Sequence, residues 1–451
     1  MNFLQININY KIIVFYLLNF FSIFTLLTLS AIPESLLNFN LIKNTYLENI
    51  QVIKSLIPII IFLFLLLLII KELKFFLHTK KSFIFILFFL LVTFQILGTI
   101  LTTQNYLKNL YYIIPVINIL LLSLVLFKVA NKNDFKIFLY SNFLIFFLIF
   151  LYFYLIYLKN YFTFDNNLYS IWALINNNEN VPRPTGMARI ALVFSAYFLC
   201  DYLIKKRGLL LLIFFNYLVF AFQSRIVVVS FLLIALTVIF IKVKFSFKEI
   251  FIKSSFKEIF KYIILIIIIP LILSITIDFL KRQIFFLNKT LSSSAYLSSS
   301  AYKFPTSYYM RVLDPQIIST NFTSSRYRDW KIIIINYENT KIFGYGIHGD
   351  RILIKQTASN GFLYSLVSGG YIAVFIYLII SIYSLNLAIR SLLNKKINKY
   401  NWFSSSLIIF FLMRSIVENS FAIIGYDFII FYFAIFYLEK KNFSNFKNRE
   451  L

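Results

Sequence analysis

Apolar runs about twenty residues long, separated by short polar clusters, dominate the chain. They lie at about 12–32, 55–70, 82–102, 109–129, 137–158, 187–204, 208–223, 226–243, 262–280, 361–389, 402–418 and 421–438. A bilayer core takes about 20 residues of α-helix. The pattern therefore predicts an all-α polytopic integral membrane protein with about twelve transmembrane helices. Two pairs are closely spaced. Gln223-Ser224-Arg225 alone divides 208–223 from 226–243, and the last two runs nearly touch. The first run has no small-residue cleavage site and is expected to remain as an anchor.

Loop charge gives the orientation, because Lys and Arg accumulate on the cytoplasmic side. With the N terminus inside, the inner connections carry Lys71, Lys74, Lys80 and Lys81, then Lys128, Lys132 and Lys136, then Lys205, Lys206 and Arg207. The run Lys242 to Lys261, the group Arg390, Lys395, Lys396 and Lys399, and a tail with Lys440, Lys441, Lys447 and Arg449 continue the series. The short outer loops carry few cations. The expected organisation is helices 1–5 in 1–158, an outer loop at 159–186, helices 6–9 in 187–280, a large outer loop at 281–360 with short helices, and helices 10–12 with a cytoplasmic tail in 361–451. Two repeats stand out. LSSSAY occurs twice in 291–302 and reads as slippage in a flexible segment. SFKEIF occurs at 246–251 and 255–260 and reads as an interfacial amphipathic stretch with Lys on one face.

Composition agrees with this class. Of 451 residues, 60% are hydrophobic, 20% aromatic and 14% charged. A soluble domain is about 45–50% apolar and about 25% charged. The net charge of +26 would point to nucleic acid in a soluble chain. Here the inner loops account for most of it, and no nucleic-acid partner is expected. Abundant Phe, Ile, Asn, Lys and Tyr fit AT-rich codon usage, which inflates Lys. The single Cys200 excludes an intramolecular disulfide and is expected to be a small buried hydrophobe.

Arginine is distributed differently from lysine. Arg207, Arg390 and Arg449 fall on the predicted inner side. Arg183, Arg189, Arg225, Arg282, Arg311, Arg326, Arg328, Arg351 and Arg414 fall in outer loops or at span ends. Orientation can be set by either cation, so Arg on the outer face calls for its planar, bidentate chemistry toward carboxylate, phosphate or diphosphate. Ion pairs with outer acids account for part of this set. Arg414 and Glu418 are spaced i, i+4 and can pair with each other; Asp427 follows beyond the next turn, and Arg189 can snorkel. Glycine is scarce, ten in all, and six of them are Gly344, Gly346, Gly349, Gly361, Gly369 and Gly370. Such clustering calls for tight turns, or for backbone that approaches a ligand or another helix.

Residues 324–351, SSRYRDWKIIIINYENTKIFGYGIHGDR, hold much of the outer chemistry. Ser325 can cap a helix that places Arg326, Trp330, Ile333, Ile334 and Tyr337 on one stripe. That helix would lie on the membrane surface or over the bundle. The chain then turns at Gly344-Tyr345-Gly346 beside His348, Asp350 and Arg351. With two histidines, His78 and His348, and one cysteine, no metal-ligand cluster is expected. No Walker A or dinucleotide fingerprint is present. The inner loops are too short for a nucleotide-sugar transferase domain, so any chemistry needs an activated substrate that reaches the outer face within the membrane.

These residues resemble the O-antigen polymerase and O-antigen ligase superfamily of bacterial envelope glycosyltransferases. Arg183-Pro184-Thr185-Gly186 is similar to the family's Arg-x-x-Gly before a span. Gln223-Ser224-Arg225 resembles its Ser-Arg between two spans. Ser325-Arg326 and Trp330, followed by Phe343-Gly344-Tyr345-Gly346, resemble its Arg, Trp and Gly-x-Gly run in a large periplasmic loop. Ser359-Asn360-Gly361-Phe362-Leu363 with Gly369-Gly370 is similar to its His-Asn-x-x-Leu segment. Arg414-Ser415-Ile416-Val417-Glu418 resembles a pattern near polymerase C termini. The resemblance covers about 183–420.

The resemblance implies a protein of the bacterial inner membrane with both termini cytoplasmic. It implies inverting, metal-independent transfer of a glycan from undecaprenyl diphosphate to the free sugar end of a second lipid-linked repeat unit, with no cofactor. A chain-length regulator and a flippase would be its protein partners, beside membrane lipid. Catalytic roles are expected for Arg225, Arg326 and Glu418. Diphosphate or sugar contacts are expected from Arg183, Arg189, Arg328, Trp330, Tyr345, His348, Arg351, Asn360 and Arg414. A fixed cation would stabilise the leaving diphosphate, and Glu338, Asp350 or Glu418 would serve the acceptor hydroxyl. The ligase branch carries His where this chain has Ser359, which favours the polymerase. The alternatives are the ligase, which moves the polymer to lipid A core, and a lipid-linked oligosaccharide flippase. A flippase would carry charge through both halves, whereas the spans before residue 180 are almost charge-free. A non-catalytic assembly protein would leave the outer arginines unexplained.

Overall fold

A computed structural model describes residues 82–102, 184–221, 224–243, 253–277, 325–337, 342–354, 358–394, 398–422 and 426–447, with short helical pieces inside 59–67 and 113–121. The described residues are helical or turn, with no strand among them. The helices are α1 (Phe83–Thr102), α2 (Pro184–Lys205), α3 (Leu209–Ala221) and α4 (Arg225–Lys242). Helix α5 opens at Lys253–Ile263, widens through a π-turn at Ile264–Ile268 and continues to residue 277. Then come α6 (Ser325–Asn336), α7 (Asp350–Ile354), α8 (Gly361–Leu392), α9 (Lys399–Val417) and α10 (Tyr426–Lys447).

Four stretches are long and apolar enough to cross a membrane: α1, Lys257–Ile277 of α5, α8 and α9. The chain is a multi-pass membrane protein on that ground. The predicted runs 12–32 and 137–158 lie outside the described residues, and 55–70 and 109–129 lie mostly outside. Elsewhere the boundaries move. Helix α3 has 13 residues, about 20 Å at 1.5 Å per residue, and does not fill a bilayer core by itself. The last helix begins at Tyr426, not 421, because a 3₁₀ turn at Ser420–Ala422 takes up the start of that apolar run.

Helix α9 is the centre. Helices α2, α4, α8 and α10 all pack against it, and Trp402, Phe403, Phe410 and Phe411 on it are fully buried. Lipid is as apolar as a side chain, so helices in a bilayer associate through close packing and polar bonds instead of the hydrophobic effect. Aromatic rings supply much of that packing here. The Phe421 ring stacks on Phe431 at 3.9 Å and on Tyr377 at 4.8 Å. Polar pairs do the rest. Asn216 on α3 donates to the Ile266 carbonyl in the π-turn at 2.8 Å and accepts from Ser195 of α2. Pro270, four residues on, has no N–H to offer that carbonyl, and Asn216 uses it.

Interhelical contacts distinguish two ends. At one, Lys399 pairs with Asp201 at 2.7 Å and donates to the Tyr197 hydroxyl at 3.0 Å. Glu439 of α10 accepts from Ser82, just before α1, and from Tyr383 of α8 at 2.9 Å. The Tyr400 and Tyr437 rings meet at the same end. Residues 205–207 lie at the foot of α2 on this side, which is thus the lysine end. The opposite end holds the start of α2, α4, α8 and α10, the finish of α1 and α9, and α6 with α7.

Candidate functional site

An ion network ties three helices together at the end opposite the lysines. Pro184 opens α2, where a missing N–H is no loss and φ is already set. That start places Arg189 in the second turn. Arg414 stands in the last turn of α9 and Asp427 in the first turn of α10. Each has the charge that its helix terminus favours. Asp427 Oδ2 accepts from Arg189 at 2.9 Å and also from Arg414. Arg414 pairs in turn with Glu418, whose N–H closes α9 on the Arg414 carbonyl at 2.8 Å. Arg414 and Asp427 are buried, and Glu418 is partly accessible, its side chain 17% exposed. The i, i+4 pairing read from the sequence is present, and Asp427 extends it into a bridge between α2, α9 and α10.

The network is charge-balanced, with two guanidinium groups against two carboxylates. Its arginines therefore have anionic partners already. Binding of a diphosphate by Arg189 or Arg414, as expected above, would need exchange of those partners.

Asn360 lies beside the network. Its side chain caps α8, accepting from the N–H groups of Phe362 at 2.8 Å and Leu363 at 3.0 Å. It also donates to the Ile416 carbonyl at 2.7 Å, between Arg414 and Glu418. The amide thus joins the start of α8 to the end of α9. Next to it Ser359 accepts from the Trp330 indole at 3.1 Å. That bond fastens α6 over the start of α8. The α6 face that packs inward carries Asp329, Ile333 and Tyr337, all buried. Ile334 is 63% exposed and leaves the predicted stripe, because i and i+4 spacing from Asp329 sets the buried face.

The Gly-Tyr-Gly turn packs between α1 and α8. Tyr345 N–H donates to the Val367 carbonyl at 2.6 Å, and its carbonyl accepts from Thr102 at 2.9 Å. Ile347 N–H donates to the Thr99 hydroxyl at 2.8 Å. A Cβ at Gly346 would run into Thr99 backbone, and one at Gly98 into the Phe343 carbonyl. Gly370, with φ +75°, breaks α8 where the Ile342 carbonyl presses on it. The glycine cluster thus answers to close approach of backbone and helix. The Tyr345 ring is buried against Tyr337 at 5.9 Å. It packs against the core cluster.

Past the turn, His348 adopts φ +61° and is part-buried. Burial, and then the nearby Arg351, pull its pKa down to about 4, so the ring is neutral at pH 7 and weakly basic. Asp350 is fully buried and binds the N–H groups of Arg351 at 3.0 Å and Ala358 at 2.7 Å. Burial raises its pKa, against those two backbone bonds and Arg351. It ties the Ala358 backbone to the start of α7. Arg351 is exposed.

The remaining expected residues are placed by their backbone. Arg225 is the first residue of α4, at the same end as Arg189 and Arg414. Arg326 and Arg328 are in the first turn of α6, ahead of Trp330. Arg183 lies outside the described residues. The structure thus pairs Arg414 with Glu418 directly, brings in Arg189 through Asp427, and ties Asn360 to the Ile416 carbonyl between them, with Trp330 bound to the neighbouring Ser359. Among the described residues no group of three or more His, Cys, Asp or Glu could hold a metal ion. Comparison with known proteins finds no matching family model, no matching curated protein and no matching solved structure.

Proposed function

We propose that the chain is an O-antigen-polymerase-type glycosyltransferase that works at the periplasmic face of a bacterial inner membrane. In this reading about twelve helices cross the bilayer, and the arginine end faces the periplasm. The donor is a glycan on undecaprenyl diphosphate, and the acceptor is a second lipid-linked repeat unit. The acceptor hydroxyl attacks the donor's anomeric carbon from the face opposite the diphosphate. The glycosidic bond forms as the carbon–oxygen bond to the diphosphate breaks, with inversion, and the hydroxyl proton passes to a carboxylate.

The observation that carries the proposal is the convergence of arginine-bearing elements at one end of the bundle. Helix α4 starts there with Arg225, α6 with Arg326 and Arg328 is fastened to the α8 cap by Trp330, and the balanced Arg189–Asp427–Arg414–Glu418 network lies beneath. A leaving diphosphate develops charge that fixed guanidinium groups stabilise without reorganisation. Arg225, Arg326 and Arg328 are the first candidates, because Arg189 and Arg414 have carboxylate partners. Glu418, the more accessible network carboxylate, is the candidate for the acceptor proton.

The test is complementation of a deletion strain, with surface glycan resolved by chain length. Loss of one preorganised donor costs about 10²–10³ in rate. Arg225→Ala and Arg326→Ala should each abolish long-chain polymer while the protein reaches the membrane in normal amount. Long chains from both variants would sink the site. In the deletion strain itself, a single repeat attached to its acceptor marks a polymerase. Unattached, lipid-linked polymer would mark a ligase, and normal glycan would remove both readings.

A further inference from the structure

Helix α6 has 12 residues, about 18 Å, and is too short to cross a hydrocarbon core of about 30 Å. It nevertheless ends on an apolar outer surface. Ile333 is buried against the bundle, while Ile334 and Ile335 on the far side are exposed, Ile335 at 67%. Ile342, further on, is 56% exposed. One turn before Ile335 the same outer side carries the exposed Lys331.

Two contacts fix how α6 runs. Trp330 donates to Ser359 at the head of α8, and the Tyr337 ring meets the Tyr371 ring edge to face at 5.7 Å. Ser359 and Tyr371 stand about 18 Å apart along the chain of α8, more than three helical turns. A helix lying across the end of α8 would not reach both. Helix α6 thus descends along the flank of α8, and its outer side faces sideways from the bundle at its finish. The depth follows from α1, which is apolar enough to cross a membrane. Gln95 of α1 donates to Ser368 of α8 at 3.1 Å, and a Cβ at Gly98 would meet the Phe343 and Ser368 carbonyls. Those α1 residues lie about 6–10 Å short of its finish at Thr102. Tyr371 lies beyond Ser368, deeper still. A Cβ at Gly370 would fall on the Ile342 carbonyl, which sets Ile342 at the same level.

We propose that the finish of α6 is seated in the bilayer, with Ile334, Ile335 and Ile342 against the acyl chains of the leaflet at the arginine end. Lipid is favoured over a protein partner because the contact at Tyr337 leads straight onto Tyr371 and Phe375, both exposed on α8, a helix apolar enough to cross. Tyr371 suits the boundary level, its ring apolar and its hydroxyl polar, and Lys331 can extend its ammonium to water. Seated in this way, α6 carries Arg328 and Arg326 about 9–12 Å along its axis from Ile334 toward the aqueous side. The proposal concerns the height of these arginines and is independent of the glycosyl-transfer reading.

The test uses the full chain in phospholipid nanodiscs. Cys200 is buried and is the chain's one cysteine, so a single introduced cysteine takes an environment-sensitive fluorophore. Ile335→Cys and Ile342→Cys are compared with Phe375→Cys as a lipid reference and Lys331→Cys as an aqueous one. All four alter exposed side chains and should elute from size exclusion as the parent does. Phospholipid with a doxyl group on its acyl chain should quench the labels at Ile335→Cys and Ile342→Cys as it does that at Phe375→Cys. Iodide should quench them several-fold less than the label at Lys331→Cys. Iodide quenching of Ile335→Cys equal to that of Lys331→Cys would put the outer side of α6 in water and overturn the proposal. Shielding from iodide without doxyl quenching would overturn it too, since protein would then cover the isoleucines, and cross-linking of two chains through Ile335→Cys would identify that protein as a second copy.

Discussion

Asp427 shows how one residue changes the reading of several others. From the sequence, Arg414 and Glu418 form a pair at helical spacing, and Asp427 is an acid beyond a turn. In the structure its Oδ2 receives both Arg189 and Arg414. What the sequence lacks is the bend after α9, with Ser420 at φ +39° and a 3₁₀ turn at Ser420–Ala422; local spacing gives no means to foresee it. The consequence can be measured. Removing one partner of a buried ion pair costs about 3–5 kcal/mol, because the other charge is left uncompensated. Asp427→Ala should therefore destabilise the purified protein by about that amount. Glu418→Ala should cost clearly less, since its carboxylate is partly solvated. Equal loss in the two variants would mean that Asp427 does not bridge. His348 offers a second check at this scale. Its folded pKa of about 4 lies below the ordinary 6.5, so the folded state resists protonation. The stability this contributes is complete above pH 6.5, falls away as pH drops through the interval, and is gone by about pH 4. The chain has only two histidines, so a ¹⁵N-imidazole NMR titration resolves His348. A midpoint near 6.5 would contradict the burial described here.

At the scale of elements, the glycine cluster and α6 were legible to different degrees. Six glycines in a glycine-poor chain marked a place of unusual backbone, and the sequence left open whether a ligand or a helix approaches it. The approach is by helices. The 342–349 segment wedges between α1 and α8, at Gly98 and Thr99 on one side and at Val367 and Gly370 on the other. Neither α1 residue belongs to the motif, and contacts between positions about 250 apart leave no local trace. The start of α6 near Ser325 was legible in the sequence, but its inward face was not. Four consecutive isoleucines, 332–335, fit several faces equally, and Trp330 and Tyr337 selected one through contacts with Ser359 and Tyr371. The wedge yields a prediction. Gly346 has φ +82°, and a Cβ there meets Thr99 backbone, which cannot yield as a flexible side chain can. Gly346→Ala should cost about 2–4 kcal/mol from backbone strain and overpacking together. Gly208→Ala shares the positive φ but meets only a Phe198 ring at 3.1 Å, and should cost less. Thermal unfolding in one detergent compares the two, and a Gly346→Ala protein as stable as the parent would remove the wedge.

For the molecule as a whole, hydropathy fixed the class and charge divided its ends. Lys399 with Asp201, and Glu439 with Ser82 and Tyr383, gather at one end. The arginine network, the α8 cap and the wedge gather at the other. Consecutive described helices α2, α3 and α4, and again α8, α9 and α10, reverse direction at each turn, as the loop charges require. The same division sets the diphosphate chemistry proposed above at the arginine end, away from the lysines. It also makes the orientation testable without any assay of function. Cys200 is the only cysteine and is buried in the core, so the natural chain serves as a background for thiol labelling. Lys331 is exposed on α6 at the arginine end, and Arg390 is exposed near the finish of α8 at the lysine end. Lys331→Cys should react with a membrane-impermeant maleimide in intact spheroplasts. Arg390→Cys should react only after the membrane is permeabilised. Labelling of both from outside would mean that α8 does not cross, and the reverse pattern would place the arginine end in the cytoplasm. In the second case a periplasmic polymerase fails even if every contact described here is correct, because a donor already carried to the outer leaflet would never meet Arg225 or Arg326.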